Sequence, residues 1–240
     1  MKDFLNHYLK NVYGCNLETG DFPGPVVTIS RQTGCSAQRI AIKLSKILTG
    51  YSYMSDTKTE KEWRWVDKDV FREAVEEMKR ELEQMGSLHQ QEIIDHLNTV
   101  AKAFSQEKMY DIHDDLLIDT LKSIICKLAS DGRYIIVGRS AGVILKEIPN
   151  KLSVRLEAPL EWRINRVMQL RNISHKKAEE YVISTDKQRD TFIEKMNGRK
   201  AENTDFDIIF NYATLLDDQI IDAIVNLLKH KKIINQEDAW

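Results

Sequence analysis

Residues 26–38 read Val26-Val27-Thr28-Ile29-Ser30-Arg31-Gln32-Thr33-Gly34-Cys35-Ser36-Ala37-Gln38, and this stretch decides the fold. Its apolar start predicts a short buried strand. From Ala37 to Leu48, apolar residues recur at helical spacing, which predicts an amphipathic helix that stops at Gly50. A helix that opens directly after a strand and a tight polar turn offers free main-chain N–H groups and the positive end of its dipole. The stretch therefore predicts a turn that binds an anion.

This turn departs from the common phosphate-loop pattern G-x-x-x-x-G-K-[ST]. Of that pattern only Gly34 is present, and no lysine follows at the expected position. The small side chains of residues 35–37 still let the backbone curl around an anion, and Arg39 or Lys43 supplies positive charge. An ordinary strand-to-helix turn, which is common in α/β domains, is the alternative interpretation.

The composition is that of a globular protein, because 42% of the 240 residues are hydrophobic and 30% are charged. This length suits one domain that carries a helical insertion. The net charge of -2 gives no general attraction to nucleic acid, so we expect no nucleic-acid partner. We also expect no membrane partner, since no apolar run approaches the roughly 20 residues that span a bilayer. Three widely spaced cysteines fit neither a disulfide framework nor a metal site, and we expect a cytoplasmic protein.

Strands and helices alternate along the second half of the chain. The predicted strands cover residues 134–137, 152–156 and 206–210. The predicted helices cover residues 160–171, 175–196 and 217–230. Such alternation indicates an α/β fold, in which helices cover both faces of a parallel sheet.

The first half is predicted to be mostly helical after a second strand at Tyr51–Met54. A capping-box pattern at Thr59 opens a long charged helix, which places Trp63 and Trp65 in that helix. Two more amphipathic segments follow before the next strand. We therefore expect a helical insertion, or a substrate-binding subdomain, over about residues 57–130.

Three charged side chains, Arg31, Asp56 and Arg139, each come just after a predicted strand. Ligands of parallel α/β sheets bind beyond the carboxyl ends of the strands. We therefore expect these three side chains to converge on a site. For Asp56, a turn or a helix cap is the alternative role.

Four segments occur in a recognisable order, and together they resemble the cytidylate kinase-like family of P-loop proteins. The resemblance covers about residues 25–230 and is weakest in the helical insertion. The segments are Val26-Val27-Thr28-Ile29-Ser30-Arg31-Gln32-Thr33-Gly34, Ile135-Ile136-Val137-Gly138-Arg139-Ser140-Ala141, Ala158-Pro159-Leu160-Glu161-Trp162-Arg163-Ile164-Asn165-Arg166-Val167 and Thr185-Asp186-Lys187-Gln188-Arg189.

The resemblance implies a nucleoside monophosphate kinase fold, with three α/β/α layers and a central parallel sheet of about five strands. It implies a kinase-like domain over residues 25–235, after an N-terminal helix and loop over residues 1–24, and a mobile lid at about 172–204. The implied activity is transfer of the γ-phosphoryl group of ATP, with Mg²⁺, to a small-molecule acceptor, most simply a nucleoside monophosphate.

The resemblance also implies roles for individual residues. The donor phosphates of ATP would be bound by Arg31, Gly34, Cys35, Ser36, Ala37, Gln38 and Arg39, and the Ser36 hydroxyl would reach Mg²⁺. The acceptor nucleotide would be bound by Asp56, Arg139 and Arg166. The cations that stabilise the transferring group would be Arg139, Arg163, Lys187 and Arg189. Arginine suits such roles, because its planar guanidinium binds phosphate oxygens in a bidentate manner.

The chain differs from the family in two places. The family has the loop sequence Gly-Ser-Gly-Gly-Arg, whereas residues 34–38 here read Gly-Cys-Ser-Ala-Gln and Arg39 is displaced by one position. Ser140 stands where cytidylate kinases carry an aspartate after the Gly-Arg pair. These differences favour a second hypothesis, in which the chain binds or senses a nucleotide without catalysis. A homodimer built on the inserted helices is a third alternative.

Overall fold

The computed structural model describes residues 24–54, 62–85, 90–105 and 115–234 of the chain. The strands are β1 (Val26–Arg31), β2 (Arg64–Val66), β3 (Tyr134–Val137), β4 (Lys151–Glu157) and β5 (Ile208–Asn211). The helices are α1 (Ala37–Met54), α2 (Lys68–Met85), α3 (Gln90–Ser105), α4 (Asp115–Asp131), α5 (Ala141–Ile144), α6 (Leu160–Arg171), α7 (His175–Asn197) and α8 (Asp217–His230). The N-terminal helix predicted before Gly24 lies outside the described residues.

The five strands form one parallel sheet in the order β2-β3-β1-β4-β5. The central strand β1 pairs with β3 on one side and with β4 on the other, and β2 and β5 are the edges. Helices cover both faces of this sheet. The predicted three-layer α/β/α P-loop fold is confirmed.

Alternating side chains of β1 divide the core between the two helical layers, as the two-residue period of a strand requires. Val26 packs with apolar residues of α2 to α5 and α7. Val27 and Ile29 point to the other face and pack with α1 and α8. All three side chains are fully buried. The hairpin of α6 and α7 has a separate small apolar cluster, made by Ile164, Val167, Ala178 and Val182.

The strand predicted at Tyr51–Met54 is wrong, because these residues are the last turn of α1. Gly50 does not stop the helix either. A helix interior tolerates one glycine at a cost of about 1 kcal/mol. The Tyr51 side chain packs against the apolar layer formed with α8, and this contact favours continued helix over a break.

The second strand lies further along the chain, within the segment predicted as a helix from Thr59. Trp65 is in β2, and the neighbouring Trp63 is buried just before it. The strand forms because Arg64 pairs with the β3 edge, where its N–H donates to the Arg133 carbonyl at 2.9 Å. The helix α2 starts only after Asp67, whose carboxylate accepts hydrogen bonds from two N–H groups of its first turn.

The last strand begins two residues later than the predicted start at Phe206. A 3₁₀ helix over Asn203–Asp205 and a bend at residues 206–207 precede it, and the Asp205 carboxylate accepts the Glu202 N–H at 2.8 Å. The predicted lid corresponds to α7 and the turn after it, and its mobility stays a prediction. Among the described residues, no helix is both long and apolar enough to cross a membrane.

Candidate active site

A cavity of about 280 Å³ lies at the carboxyl ends of β1 and β3, between α5 and α7. Its walls carry two carboxylates, Asp186 and Asp190, against a larger number of basic side chains. The basic side chains are Arg31, Lys68, Arg139, Arg155 and Arg189. A concave site with this excess of positive charge attracts an anionic ligand.

Arg31 is the most electrostatically perturbed residue of this cavity. Burial, and after it the positive charges of Arg189 and Arg139, lower the pKa of its guanidinium to about 9. The carboxylate of Asp67 acts in the opposite direction. The three arginines therefore repel one another in a partly desolvated place, and an anion bound among them would relieve that repulsion.

The turn after β3 shapes the wall beside Arg31. Gly138, Arg139 and Ser140 all have positive φ angles, of 79°, 56° and 54°. For a residue other than glycine this conformation costs about 1–2 kcal/mol, and such strain concentrates at functional sites. The Ser140 hydroxyl is buried and has no hydrogen-bond partner among the described residues. The Arg139 guanidinium donates to the Phe104 carbonyl at 2.9 Å and lies 5.7 Å from the centroid of the Phe192 ring.

The loop after β1 already holds a carboxylate. The N–H and the hydroxyl of Thr33 each donate to Oδ1 of Asp186 at 2.7 Å. The loop is also fixed to β4, since the Gln32 N–H donates to the Leu156 carbonyl at 3.0 Å. On the α6 side a Cβ added to Gly34 would lie 3.1 Å from Cβ of Arg163, so the loop and α6 are in close contact.

Arg163 is buried and bridges the loop to α7, the helix of the predicted lid. Its guanidinium donates to the Ala158 carbonyl at 2.9 Å, to the Thr33 carbonyl at 3.4 Å and to Oδ2 of Asp186 at 2.5 Å. Arg189 also reaches the loop, where it donates to the Thr33 hydroxyl at 2.9 Å. Two of the three arginines predicted to act on the transferring group, Arg163 and Arg189, therefore lie beside the loop.

A cation-aromatic cluster lies at Ser36 of the loop. Arg166 donates to the Ser36 hydroxyl at 3.1 Å. Its guanidinium carbon lies 5.1 Å from the Trp162 ring centroid and 5.2 Å from that of Tyr212. A guanidinium on the Ser36 oxygen repels a metal ion, so this arrangement does not fit Mg²⁺ on Ser36. Within the described residues, no group of three or more His, Cys, Asp or Glu side chains could hold a metal.

The remaining predicted residues are placed as follows. Arg31, Arg139 and Arg189 come together at the cavity. This was expected, because Arg31 and Arg139 were predicted at strand ends and Arg189 in the lid. Lys187 is exposed on α7 and does not line the cavity. Asp56 lies outside the described residues. Arg166 does not line the cavity and contacts Ser36 instead.

The first turn of α1 has mixed exposure. Ala37 and Cys35 are buried, and burial raises the pKa of the Cys35 thiol to about 11. Gln38 and Arg39 are exposed, and Arg39 pairs with Asp217 of α8 at 2.8 Å. The positive charge of Arg39 is therefore directed toward α8.

Sequence reasoning missed four charged residues of the cavity, Lys68, Arg155, Asp186 and Asp190. Arg155 pairs with Glu157 at 2.6 Å, and its guanidinium carbon lies 5.0 Å from the Phe206 ring centroid. Asp186 had a usable signal, since residues three apart on a helix share a face and Arg189 was already a candidate. Lys68 had none, because it reaches the cavity only through the unexpected strand β2.

In fold, the chain is similar to solved structures from two bacteria. One is an uncharacterized protein from Eubacterium ventriosum, with 18% identity and a TM-score of 0.53 over 85% of this chain and 98% of that chain. The other is a shikimate kinase from Bacteroides thetaiotaomicron, with 14% identity and a TM-score of 0.45 over 86% of this chain and 96% of that chain. No curated protein matches the sequence.

The family comparison covers most of the chain. The model of the cytidylate kinase-like family matches residues 26–214, from β1 to just past β5. This range contains the loop after β1, the strained turn after β3 and the lid helix. The chain therefore belongs to the cytidylate kinase-like family.

Proposed function

We propose that the chain transfers the γ-phosphoryl group of ATP to a small anionic acceptor that binds in the basic cavity. The most economical acceptor is a nucleoside monophosphate. One observation carries the proposal, namely that Arg31, Arg139 and Arg189 converge at the carboxyl edge of the sheet. Phosphoryl transfer requires alignment and positive charge around the transferring oxygens rather than covalent help from the protein.

In this proposal different residues bind the acceptor and the donor. Arg31 and Arg139 bind the anionic group of the acceptor, since both line the cavity. The Thr33 N–H and Arg189 face the donor phosphates, because they lie where the loop meets the cavity. ATP supplies the phosphoryl group. Mg²⁺ arrives with the triphosphate, since Arg166 occupies the Ser36 oxygen.

Other members of the predicted set have supporting roles. Arg163 keeps the loop and α7 together through its three acceptors. Lys187 is exposed in this structure, and we propose that it faces the donor once the lid has closed. Closure would also exclude water, which strengthens each charged contact and limits hydrolysis of ATP. We place the activity in the cytoplasm, where ATP is abundant.

A coupled assay with ATP, Mg²⁺ and a panel of nucleoside monophosphates tests the proposal. We expect turnover with at least one acceptor, and a loss of kcat/KM of at least about 100-fold in Arg139→Ala. Arg72→Ala is the matched control, because Arg72 is an exposed arginine on α2 whose ion pair within the described part of the chain is with its helical neighbour Asp69. Absence of turnover together with absence of ATP binding would reject the proposal.

A non-catalytic nucleotide sensor is the second candidate, and one observation favours it. The Asp186 carboxylate occupies the Thr33 N–H and the Arg163 guanidinium, in a loop that also lacks the usual lysine. This candidate expects ATP to bind without product. Product formation that depends on Arg139 would exclude it.

A further inference from the structure

Donors from three segments converge on one carboxylate, that of Asp186. The loop contributes the Thr33 N–H and hydroxyl, each 2.7 Å from Oδ1. Helix α6 contributes Nη1 of Arg163, 2.5 Å from Oδ2. Helix α7 contributes Nη1 of Arg189, which lies 3.5 Å from Oδ1 and 2.9 Å from the Thr33 hydroxyl.

This donor set is of the kind that holds phosphoryl oxygens. A main-chain N–H, a hydroxyl and two guanidiniums give directional hydrogen bonds and two positive charges. One carboxylate neutralises one of these charges and leaves net positive charge behind. A phosphoryl group has a larger negative charge and more acceptor oxygens than a carboxylate.

The position of the Asp186 carboxylate bears on its role as much as its hydrogen-bond partners do. Asp186 and Arg189 belong both to this cluster and to the wall of the basic cavity. The carboxylate therefore lies between the loop and the space assigned to the acceptor. A phosphoryl group that passes from a donor on the loop to an acceptor in the cavity must cross this position.

We infer that Asp186 occupies an oxyanion site formed by Thr33, Arg163 and Arg189, and that a phosphoryl group of the donor takes this site when the carboxylate leaves. This inference rests on the proposed function for the identity of the donor. It assigns Asp186 as the internal competitor of the triphosphate. It also explains why the loop holds its shape without a lysine, since Asp186 and Arg163 fix it from outside.

The lid helix provides a route for the carboxylate to leave. The α6–α7 hairpin is held by its own apolar cluster, in which Val182 precedes Asp186 by one turn. A change of the Asp186 rotamer breaks the contacts to Thr33 while this cluster stays intact. Thr33, Arg163 and Arg189 then lose their contacts to the carboxylate and form contacts to the phosphoryl group instead.

Binding of inorganic tripolyphosphate, measured by calorimetry, tests the inference without any catalysis. In Asp186→Asn the side chain keeps its shape but loses its charge, so the competitor is weaker and the site has more positive charge. We expect tripolyphosphate to bind Asp186→Asn at least about tenfold more tightly than the wild type. The matched control is Glu194→Gln, which removes the same charge from an exposed position on the same helix and should change the affinity less than about twofold.

Equal or weaker binding by folded Asp186→Asn would overturn the inference, because the carboxylate would then be a fixed brace. If this variant fails to fold, amide resonances of the wild-type protein replace it. Saturating tripolyphosphate should shift the Thr33 N–H resonance and leave that of Glu194 unchanged. An unshifted Thr33 resonance at saturation would overturn the inference. Tight tripolyphosphate binding without any acceptor turnover would reject the proposed function and leave this site standing.

Discussion

The guanidinium of Arg31 occupies the space that a side chain on Gly138 would fill, since an added Cβ would lie 2.1 Å from Nη1 of Arg31. Arg31 ends β1 and Gly138 directly follows the neighbouring strand β3, so the two residues meet at the same edge of the sheet. Gly138 also has a positive φ of 79°. Glycine is therefore required at this position for two separate reasons, the backbone conformation and the room for Arg31.

Gly138→Ala should weaken the site more than the fold. The guanidinium can move away from the new methyl group, so the free energy of unfolding should fall by only about 1–2 kcal/mol, mainly from the positive φ. The displaced Arg31 should lower acceptor affinity at least about tenfold. Chemical denaturation and acceptor binding by calorimetry measure the two effects. Gly50→Ala is the control, since it adds a methyl group in open space within α1 and should stabilise the protein by about 0.5–1 kcal/mol.

Unlike Gly138→Ala, the variant Arg163→Ala should cause a large loss of stability. The variant leaves the Asp186 carboxylate without its closest charged partner. In the wild type the Arg163 side chain is only 8% exposed. Removing one partner of such a buried pair costs about 3 kcal/mol. Denaturant unfolding measures this loss. Arg72→Ala, which breaks an exposed pair, should cost less than about 0.5 kcal/mol, and a similar cost for both variants would contradict the structural role of Arg163.

Inorganic phosphate should stabilise the protein through Arg31. The repulsion among Arg31, Arg139 and Arg189 is relieved when an anion binds, so the melting temperature should rise with phosphate concentration. At a free concentration 100 times Kd the gain in unfolding free energy is about 2.7 kcal/mol. Arg31→Gln should lose most of this gain, and its anion-free form should be as stable as the wild type or more stable.

Two controls make the phosphate titration specific. Chloride at matched ionic strength separates site binding from general screening. Lys43→Gln removes an exposed cation on α1 and should keep the full phosphate response. An equal phosphate response in Arg31→Gln would show that the anion binds elsewhere.

The Cys35 thiol should react slowly with alkylating reagents. Burial raises its pKa from 9.0 to about 11, so at pH 8 its reactive thiolate fraction is roughly 100 times smaller than that of an ordinary thiol. Burial favours the neutral thiol over the thiolate. The rate of modification should therefore continue to rise as the pH increases above 9. Peptide-resolved mass spectrometry after iodoacetamide treatment measures the rate. Fast modification at pH 7 would show that the loop opens readily.

The sheet and its ligand edge could be predicted from the sequence because they depend on local patterns. The strands β1, β3 and β4 are mostly buried, and β3 is apolar throughout, which is typical of central parallel strands. Arg31 is the last residue of β1 and Arg139 comes two residues after β3, so their convergence followed from the rule that ligands bind at the carboxyl ends.

The second strand could not be predicted because its cause is not local. Arg64, Trp65 and Val66 form a strand of only three residues, and it exists through pairing with β3. A capping-box pattern and many charges nearby favour a helix on local grounds, and tertiary pairing overrides them. The entry of Lys68 into the cavity depends on that same strand, so it was missed with it.

The role of Asp186 shows a similar limit within a helix that was predicted correctly. Its spacing from Arg189 indicates a shared face, whereas Lys187 points about 100° away and is exposed. Helical spacing shows which side chains share a face of α7, but it does not show which residues that face contacts. The contact with Thr33 joins residues 153 positions apart, and only the fold brings them together.

The most direct test of the central claim is transfer of labelled γ-phosphate from ATP to a panel of nucleoside monophosphates, in wild type, Arg139→Ala and Arg72→Ala. The expected result is a labelled product with at least one acceptor in the wild type and in Arg72→Ala, and a loss of at least about 100-fold in Arg139→Ala. Folded wild-type protein that binds ATP and yields no labelled product with any acceptor would contradict phosphoryl transfer and leave the sensing hypothesis.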